Sequence, residues 1–304
     1  MRRVVAAAIT LSLLSGANAA ETNKQPSLRS RVVLLGTGTP APDPQRSGPA
    51  TLVVVDDALY LVDFGPGVVR RAAAAVASVE GLRLANLNIA FATHLHADHT
   101  MGYADLIITP WIAGRNSPLQ VYGPRGLKDM TEHVLAAYRV DLDNRMQERG
   151  QKSRMVEAHE ISPGVVYRDA KVTVTAFAVA HGNLEALGYR FQTPDRVIVI
   201  SGDTSPTDNV VSACNGCDIL VHEHYSVASF ARVEPRWQQY RLRHHTSTKQ
   251  LAELATRARP GLLVLYHRAN PGGGGTSAPE SDVIQEMNAL YKGRWVSGHD
   301  LDVY

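Results

Sequence analysis

Histidine and aspartate are concentrated in one short segment of the sequence, residues 93–99, which reads THLHADH. Three imidazoles and one carboxylate fall within six residues there, and this ligand combination suits zinc, iron or manganese. Side chains of an extended segment repeat with a period of two, so His94 and His96 point the same way. Asp98 and His99 follow where the chain turns into a helix, so they can face a second ion. An exposed histidine-rich loop is the alternative.

Three more residues of ligand type follow apolar segments that are typical of strands. His181 ends the segment FAVAH, Asp203 follows VIVISG, and His267 ends LLVLYH. Taken singly, each would more often be a loop histidine or a capping aspartate. Metal sites are commonly built from ligands at the ends of strands in a rigid sheet. Together with the strand before His94, these segments therefore predict one metal site at four strand ends.

Short apolar strands alternate with helices along the chain, which predicts an α/β fold. We expect a single domain, residues 20–304, because no stretch has the composition of an interdomain linker. The predicted strands are 31–35, 51–55, 59–62, 88–91, 172–177, 188–191, 197–200 and 262–266; the predicted helices are 68–79, 126–139 and 248–257, and 272–275 is predicted as a flexible loop.

Residues 1–19 have the three-part pattern of a secretory signal peptide: Arg2 and Arg3, an apolar core at 4–14, and the small-residue site Ala17-Asn18-Ala19. We therefore expect a periplasmic or secreted protein, with an N-terminal core helix as the alternative. The chain has 31 basic and 29 acidic residues, so loss of both arginines would leave a neutral mature protein. No apolar run reaches the roughly 20 residues of a membrane span, and no cysteine follows the apolar core to carry a lipid.

Cys214 and Cys217 are the only cysteines and stand in the order Cys-Asn-Gly-Cys. Such a pair could be a redox motif, half of a zinc site or a disulfide. No second pair completes a zinc site, and the strand-to-helix context of a thioredoxin-like motif is missing. A local disulfide or two unreactive thiols is therefore the expectation.

The order of these motifs resembles the metallo-β-lactamase superfamily and, within it, the ribonuclease Z branch, which also includes arylsulfatases. The similarity covers nearly the whole mature chain. The resemblance implies an αββα sandwich of two mixed β-sheets with helices on the outer faces. The matching segments are LLGTGTPAPDPQRSG, LVDFGPG, THLHADHTMGYADLI, VYGPRGL, HGNLEALGYRF, SGDT, DILVHEHY, HHTSTKQLAELA and LVLYH, in the family's order.

The resemblance also implies two divalent metal ions, with zinc expected and manganese or iron as alternatives. Two ions about 3.5–4 Å apart can share a hydroxide that attacks the substrate, because the metal lowers the pKa of bound water to about 7. The residues implied are His94, His96 and His181 for one ion, Asp98, His99 and His267 for the other, and Asp203 as the bridge.

Two residues outside the ligand set match the ribonuclease Z pattern: Glu223 in HEH and His245 in HHTST. We expect His245 to donate a proton to the leaving group, oriented by Glu223, because a leaving alkoxide needs a proton in the transition state. The alternatives are a structural role for Glu223 and a helix-start position for His245. Asp98 is the third residue expected to be catalytic. The sequence assigns no role to His222, His224 or His244.

Three features argue against transfer RNA as the substrate. In ribonuclease Z a long arm that grips transfer RNA lies between the third metal histidine and the bridging aspartate, whereas only 21 residues separate His181 from Asp203. Export would remove the enzyme from transfer RNA, and a neutral chain lacks the charge that attracts nucleic acid. We therefore expect a small ester, an aryl sulfate or a phosphodiester, with no nucleic-acid partner and no membrane anchor.

Two other functions remain as alternatives to that expectation. The first is a lactonase or another carboxylic ester hydrolase, since a lactonase uses the same seven ligands. The second, from a different class, is a metal-binding protein without catalysis. A homodimer is left open.

Overall fold

The computed structural model describes residues 29–149, 154–269 and 279–304. The predicted signal peptide 1–19, the first residues of the predicted domain and the predicted loop 272–275 lie outside the described residues. Among the described residues, no helix is long and apolar enough to cross a membrane.

The first sheet has six strands that follow one another in chain order. The first three strands are antiparallel, and the last four are parallel, so the sheet is mixed. The strands are β1 (Ser30–Gly36), β2 (Ala50–Val55), β3 (Ala58–Val62), β4 (Ile89–Phe91), β5 (Leu119–Gly123) and β6 (Val156–Glu160).

The second sheet has seven strands, also in chain order, and it is mixed as well. Its first four strands are antiparallel and its last four are parallel. The strands are β7 (Gly164–Arg168), β8 (Thr173–His181), β9 (Leu184–Gln192), β10 (Val197–Ile200), β11 (Ile219–His224), β12 (Leu262–Arg268) and β13 (Trp295–Ser297).

Helices cover the outer face of each sheet because each presents an apolar stripe to it. The first sheet packs against α1, α3 and α4, and the second packs against α6, α9 and α10. The helices are α1 (Val68–Ala75), α2 (Ala97–Thr100), α3 (Tyr103–Ile112), α4 (Leu127–Ala137), α5 (Arg139–Arg149), α6 (Asp208–Cys214), α7 (Val227–Phe230), α8 (Pro235–His244), α9 (Thr248–Ala258) and α10 (Glu280–Leu290).

The inner faces of the two sheets meet in a core of aromatic and branched residues. Phe91 of the first sheet lies 5.3 Å from Tyr189 and 5.7 Å from Phe191 of the second, measured between ring centroids. All three rings are fully buried, and burial of such side chains is the main stabilising term of a sandwich. The predicted αββα sandwich is therefore confirmed.

Several predicted boundaries differ from the observed ones. The helix expected at 126–139 is α4, which ends at Ala137, and α5, which follows it, was not predicted. The helix expected at 68–79 ends at Ala75. The strand expected at 172–177 continues to His181, because β8 and β9 pair from Thr173 opposite Gln192 to His181 opposite Leu184. That extension carries a candidate ligand to the very end of a strand. Of the alternatives for the two cysteines, the structure has the disulfide Cys214–Cys217.

Candidate metal centre

The THLHADH segment connects β4 to α2 at the edge where the parallel strands end. His96 has an extended backbone and is the residue before α2, and His94 lies two residues earlier, outside any helix. Asp98 and His99 belong to the short helix itself. The change of backbone between these two pairs sends their side chains to different groups of partners, as the residue spacing predicts.

Three histidine nitrogens converge in a group that we call the nitrogen cluster: His94, His96 and His181. Nδ1 of His96 lies 3.0 Å from Nε2 of His94 and 3.1 Å from Nε2 of His181. The remaining nitrogens of two rings are held from behind, since Nδ1 of His94 lies 3.0 Å from Thr93 Oγ1 and Nδ1 of His181 donates to the carbonyl of His244 at 2.8 Å. Such outer contacts fix a ring with its free nitrogen aimed at a metal.

Carboxylates and histidines converge in a second group, the mixed cluster: Asp98, His99 and His267. Nε2 of His267 lies 3.2 Å from Asp98 Oδ2, and Nε2 of His99 lies 3.6 Å from the same oxygen. His267 is the extra residue at an irregularity between β11 and β12, with a φ of 41°. Bulges of this kind turn a side chain away from the regular alternation of a strand, which here aims His267 at the cluster.

Asp203 lies between the two clusters. Its Oδ1 is 3.4 Å from His99 Nε2, and its Oδ2 is 3.4 Å from His267 Nε2; it also falls within one ligand group with His94. The turn before it requires Gly202, because φ is 63° there and a Cβ would lie 2.8 Å from Thr93 Cβ. Burial alone would raise the pKa of Asp203, but His267 and His99 hold it well below its usual value.

The polar atoms of this region fit a bound cation. Nε2 of His99 and Oδ1 of Asp203 are buried and have no hydrogen-bond partner. In the nitrogen cluster, burial lowers the pKa of His94 well below its usual value and that of His181 to about 4, so neutral nitrogens face one another. Neutral imidazole and ionised carboxylate are the forms that bind divalent metals. The donors therefore fit divalent metal binding, as the sequence predicted.

Asp63 is a functional residue that the sequence reasoning missed. It is buried at the end of β3 with a φ of 61°, and it accepts from Thr93 N at 2.7 Å and Thr93 Oγ1 at 2.9 Å. Its Oδ2 also lies 2.8 Å from Nδ1 of His99. The signal was available, because Asp63 follows the apolar strand 59–62 just as the other candidates follow theirs.

Glu223 and His245 lie beside the clusters as a buried pair. Glu223 Oε2 is 3.2 Å from Nδ1 of His245, and its Oε1 accepts from the backbone N–H of Thr246 at 2.7 Å. Burial, and then the charge of Asp203, raise the pKa of Glu223 well above its usual value, while burial lowers that of His245. His245 also forms a ligand group with Asp203 and His267, which the sequence did not indicate.

The three unassigned histidines fall into two classes. His222 and His224 are buried on β11, where their Nδ1 atoms lie near the carbonyls of Glu223 and Tyr266, and neither belongs to a ligand group within the described part of the chain. The backbone carbonyl of His244 accepts a hydrogen bond from His181, and the ring of His244 stacks on Tyr240 with centroids 4.0 Å apart.

A cavity of about 190 Å³ opens onto both clusters. Candidate ligands from the clusters form its floor together with His245. The loop 39–41 and helix α8 form its walls, and α8 contributes Trp237, Tyr240 and Arg241. This cavity places any substrate in contact with candidate metal ligands and with His245 at once, and Glu223 lies behind His245.

Comparisons with known proteins agree with this fold and site. Residues 59–268 match the Beta-lactamase superfamily domain, and the chain belongs to that superfamily, which makes it a metal-dependent hydrolase of the metallo-β-lactamase fold. Within the superfamily it belongs to the ribonuclease Z-like branch. It is 33% identical over 242 residues to ribonuclease Z of Mycobacterium bovis (strain BCG / Pasteur 1173P2), covering 78% of this chain and 85% of that protein. It is 36% identical over 249 residues to ribonuclease Z of Mycobacterium sp. (strain KMS), covering 79% and 84%.

Solved structures show the same fold. The metallo-β-lactamase fold protein YhfI from Bacillus subtilis superposes with a TM-score of 0.68 at 17% identity, covering 90% of this chain and 99% of that one. Human tRNase Z, short form, superposes with a TM-score of 0.65 at 22% identity, covering 90% and 98%.

These relatives correct two predictions. The expectation of a small ester substrate with tRNA processing disfavoured is wrong, and so is the expectation of no nucleic-acid partner, because the relatives at 33–36% identity are ribonucleases Z. The physical error lies in using net charge, which averages over the whole surface. Segment 232–243 alone carries four arginines and one glutamate, and its Arg241 lines the cavity. The absence of the arm likewise concerns how RNA is bound. It says nothing against the residues of the reaction centre, which are present.

Proposed function

We propose that the protein is a ribonuclease Z-type enzyme that hydrolyses a phosphodiester bond of RNA, with transfer RNA precursors as the substrate class. The observation that carries this proposal is the Glu223–His245 pair at 3.2 Å beside the candidate metal ligands, in a chain whose relatives at 33–36% identity are ribonucleases Z. Because these relatives are ribonucleases, we favour a phosphodiester over a sulfate ester as the bond that is hydrolysed.

The proposed reaction requires two metal ions. The nitrogen cluster would hold one, the mixed cluster the other, and Asp203 would contact both. When bound, such ions supply a nucleophilic water at neutral pH and offset the charge of the phosphate. Zinc is the metal we propose, because imidazole-rich sets with open positions are typical of catalytic zinc.

The protein's own residues orient the proposed metal-binding rings and supply the proton for the leaving group. Asp63 and the carbonyl of His244 hold the rings of His99 and His181 in place, at 2.8 Å each. As water adds to phosphorus and the bond to the leaving ribose oxygen breaks, that oxygen takes a proton from His245. Glu223, whose raised pKa favours the protonated carboxyl, returns a proton to Nδ1 of His245. Asp98 is a proposed metal ligand that also lines the cavity, so it can contact the substrate as well.

Arg241 supplies positive charge at the cavity wall. Burial lowers its pKa, and the negative charge of Asp203 opposes that shift, but a guanidinium stays charged in proteins. We propose that it attracts the phosphate, since guanidinium and phosphate form charge-assisted hydrogen bonds.

The test compares two substrates for the metal-loaded protein. In precursor RNA the leaving group is a ribose oxygen that needs a proton, whereas bis(p-nitrophenyl) phosphate releases a stable phenolate. We expect His245→Ala to lower the rate on RNA by about 10²–10⁴-fold, to lower the rate on the nitrophenyl ester much less, and to keep its metal content. His133→Ala, on the exposed side of α4, is the matched control and should leave both rates unchanged.

Two results would contradict the proposal in different ways. Loss of metal from His245→Ala would make this residue a ligand, as its place beside Asp203 and His267 allows, and would overturn its assignment as proton donor. A loaded wild-type protein that hydrolyses the nitrophenyl ester but leaves every RNA intact would overturn RNA as the substrate.

Export is a separate proposal, supported by the leader pattern of residues 1–19 and by the disulfide Cys214–Cys217. Transfer RNA precursors are cytoplasmic, so an exported enzyme would perform the same hydrolysis on other RNA, and the location of the protein decides between these two substrates. Cell fractionation with an antibody to the mature chain tests this, and a full-length chain that stays entirely in the cytoplasm would contradict it.

A further inference from the structure

Helix α8 differs from the helices that support the sheets. It buries none of its side chains fully, although it carries a tryptophan and a tyrosine. By contrast α9, three residues further along the chain, buries an apolar face that includes Leu251 and Ala255. Large aromatic rings normally contribute to a core, so the half-exposed rings of α8 do not serve the packing of the sandwich.

Three half-buried rings follow one another along the helix, and we call them the aromatic stripe: Trp237, Tyr240 and His244. Their spacing of three and four residues puts them on one face of the helix. The ring centroids of Trp237 and Tyr240 are 6.0 Å apart, and those of Tyr240 and His244 are 4.0 Å apart with nearly parallel planes. His244 in turn lies 5.0 Å from His181, so the stripe leads from the nitrogen cluster outwards along the cavity wall.

Positive charge accompanies the stripe. Arg232 and Arg236 are paired with Asp282 and Glu234, both at 3.0 Å. Arg241 and Arg243 have no salt bridge to any described residue, and Arg243 is exposed. Aromatic rings flanked by guanidiniums that lack a salt bridge are the combination by which proteins bind unpaired nucleotides.

We propose that the aromatic stripe is a stacking subsite that holds an unpaired nucleobase next to the phosphodiester being cleaved, with Arg241 and Arg243 at its phosphates. This inference rests on the proposed function and names its preferred substrate: RNA that is single-stranded beside the scissile bond. Bases inside a duplex are already stacked on each other, so they cannot reach the rings. Stacking also tolerates any base, so the subsite selects strandedness and not sequence.

The experiment is a cycle of protein and substrate changes. The variants are Trp237→Leu and Tyr240→Leu, and the substrates are a single-stranded RNA and the same RNA with one abasic nucleotide, moved across the positions flanking the cleaved bond. Each variant should lower kcat/KM on intact RNA by about 5- to 150-fold. In the wild type one abasic position should cost a similar factor, and in the variant that cost should disappear. Trp237→Phe and Tyr240→Phe should restore most of the rate.

Leu242→Ala is the matched control, since Leu242 is exposed on the same helix and is not part of the stripe; it should leave kcat/KM unchanged. Metal content should be the same in all variants. If the abasic nucleotide costs the same in wild type and variants at every position, the stacking subsite is overturned while RNA hydrolysis stands. A wild-type protein that cleaves no RNA overturns the proposed function, and the subsite with it.

Discussion

The nitrogen cluster and the mixed cluster lie side by side and differ in the charge that surrounds them. Among the described residues, no carboxylate forms a salt bridge with His94, His96 or His181. His99 of the mixed cluster, by contrast, faces Asp63 at 2.8 Å, Asp203 at 3.4 Å and Asp98 at 3.6 Å.

The two environments shift histidine pKa values in opposite directions. In the nitrogen cluster burial dominates and lowers them. For His99 burial also favours the neutral ring, but the surrounding aspartates overcome it and raise its pKa well above the usual value. The nitrogen cluster thus offers neutral lone pairs, whereas the aspartates in and around the mixed cluster supply negative charge that favours a cation. Asp203 lies between the two clusters, so its substitution is the strongest test of how they depend on each other.

Asp203→Asn should have the largest effect, because the variant keeps the shape of the side chain and removes the charge between the clusters. We expect metal to be lost from both clusters, and hydrolysis to fall by more than the roughly 10–100-fold that an outer hydrogen-bond partner contributes. Metal content after dialysis and the rate on bis(p-nitrophenyl) phosphate measure this. Asp208→Asn, an exposed aspartate at the start of α6, is the control. Two retained ions would show that the clusters are independent.

Asp63→Asn should separate the clusters. Asparagine tolerates the positive φ of this position, but it cannot accept from Thr93 and His99 with a full charge. Metal affinity of the mixed cluster should fall by about 10–100-fold, and that of the nitrogen cluster should change little. Competition with a chelator resolves the two steps. Asp56→Asn, at the other end of the same hairpin strand and also at positive φ, should change neither. An equal loss in both clusters would contradict the separation.

Proton release should distinguish the clusters at neutral pH. His99 has a raised pKa, so at pH 7 the metal-free ring holds a proton that a metal must displace. His94 and His181 have lowered pKa values and are already neutral at pH 7. Metal titration in two buffers of different ionisation enthalpy should therefore show about one proton released for the mixed cluster and none for the nitrogen cluster. His99→Asn should abolish the release, and release that survives this change would contradict the assignment.

The two clusters also differ in how far the sequence predicts them. The THLHADH spacing determines local backbone geometry, so the separate directions of His94 and Asp98 follow from near neighbours alone. His181, Asp203 and His267 were predicted to lie near them because each follows an apolar strand, and the structure brings them together. The aim of His267, however, depends on a bulge against β11, and the part played by Asp63 depends on the pairing of β3 with β4. Both are contacts between distant segments that no local pattern contains.

Helix α8 shows the same limit more strongly. Hydrophobic periodicity detects helices that bury an apolar face, and α8 buries none of its side chains fully, so this criterion does not detect the helix. The substrate prediction failed for a related reason. A count of charges does not show where they lie: in an otherwise balanced chain, segment 232–243 carries four arginines, of which Arg241 lines the cavity.

Thr93→Val should have the smallest effect and should reach both clusters. The buried hydroxyl of Thr93 lies 2.9 Å from Asp63 Oδ2 and 3.0 Å from His94 Nδ1, so it contacts one positioning group of each cluster. Valine keeps the volume and removes both hydrogen bonds, which should cost about 1–3 kcal/mol of unfolding free energy. We expect metal affinity to fall less than in Asp63→Asn and by similar factors in the two clusters, as measured by denaturant unfolding and chelator competition. Thr93→Ser keeps the hydroxyl and should restore the affinities. A loss confined to one cluster would show that the hydroxyl serves that cluster alone and does not link the two.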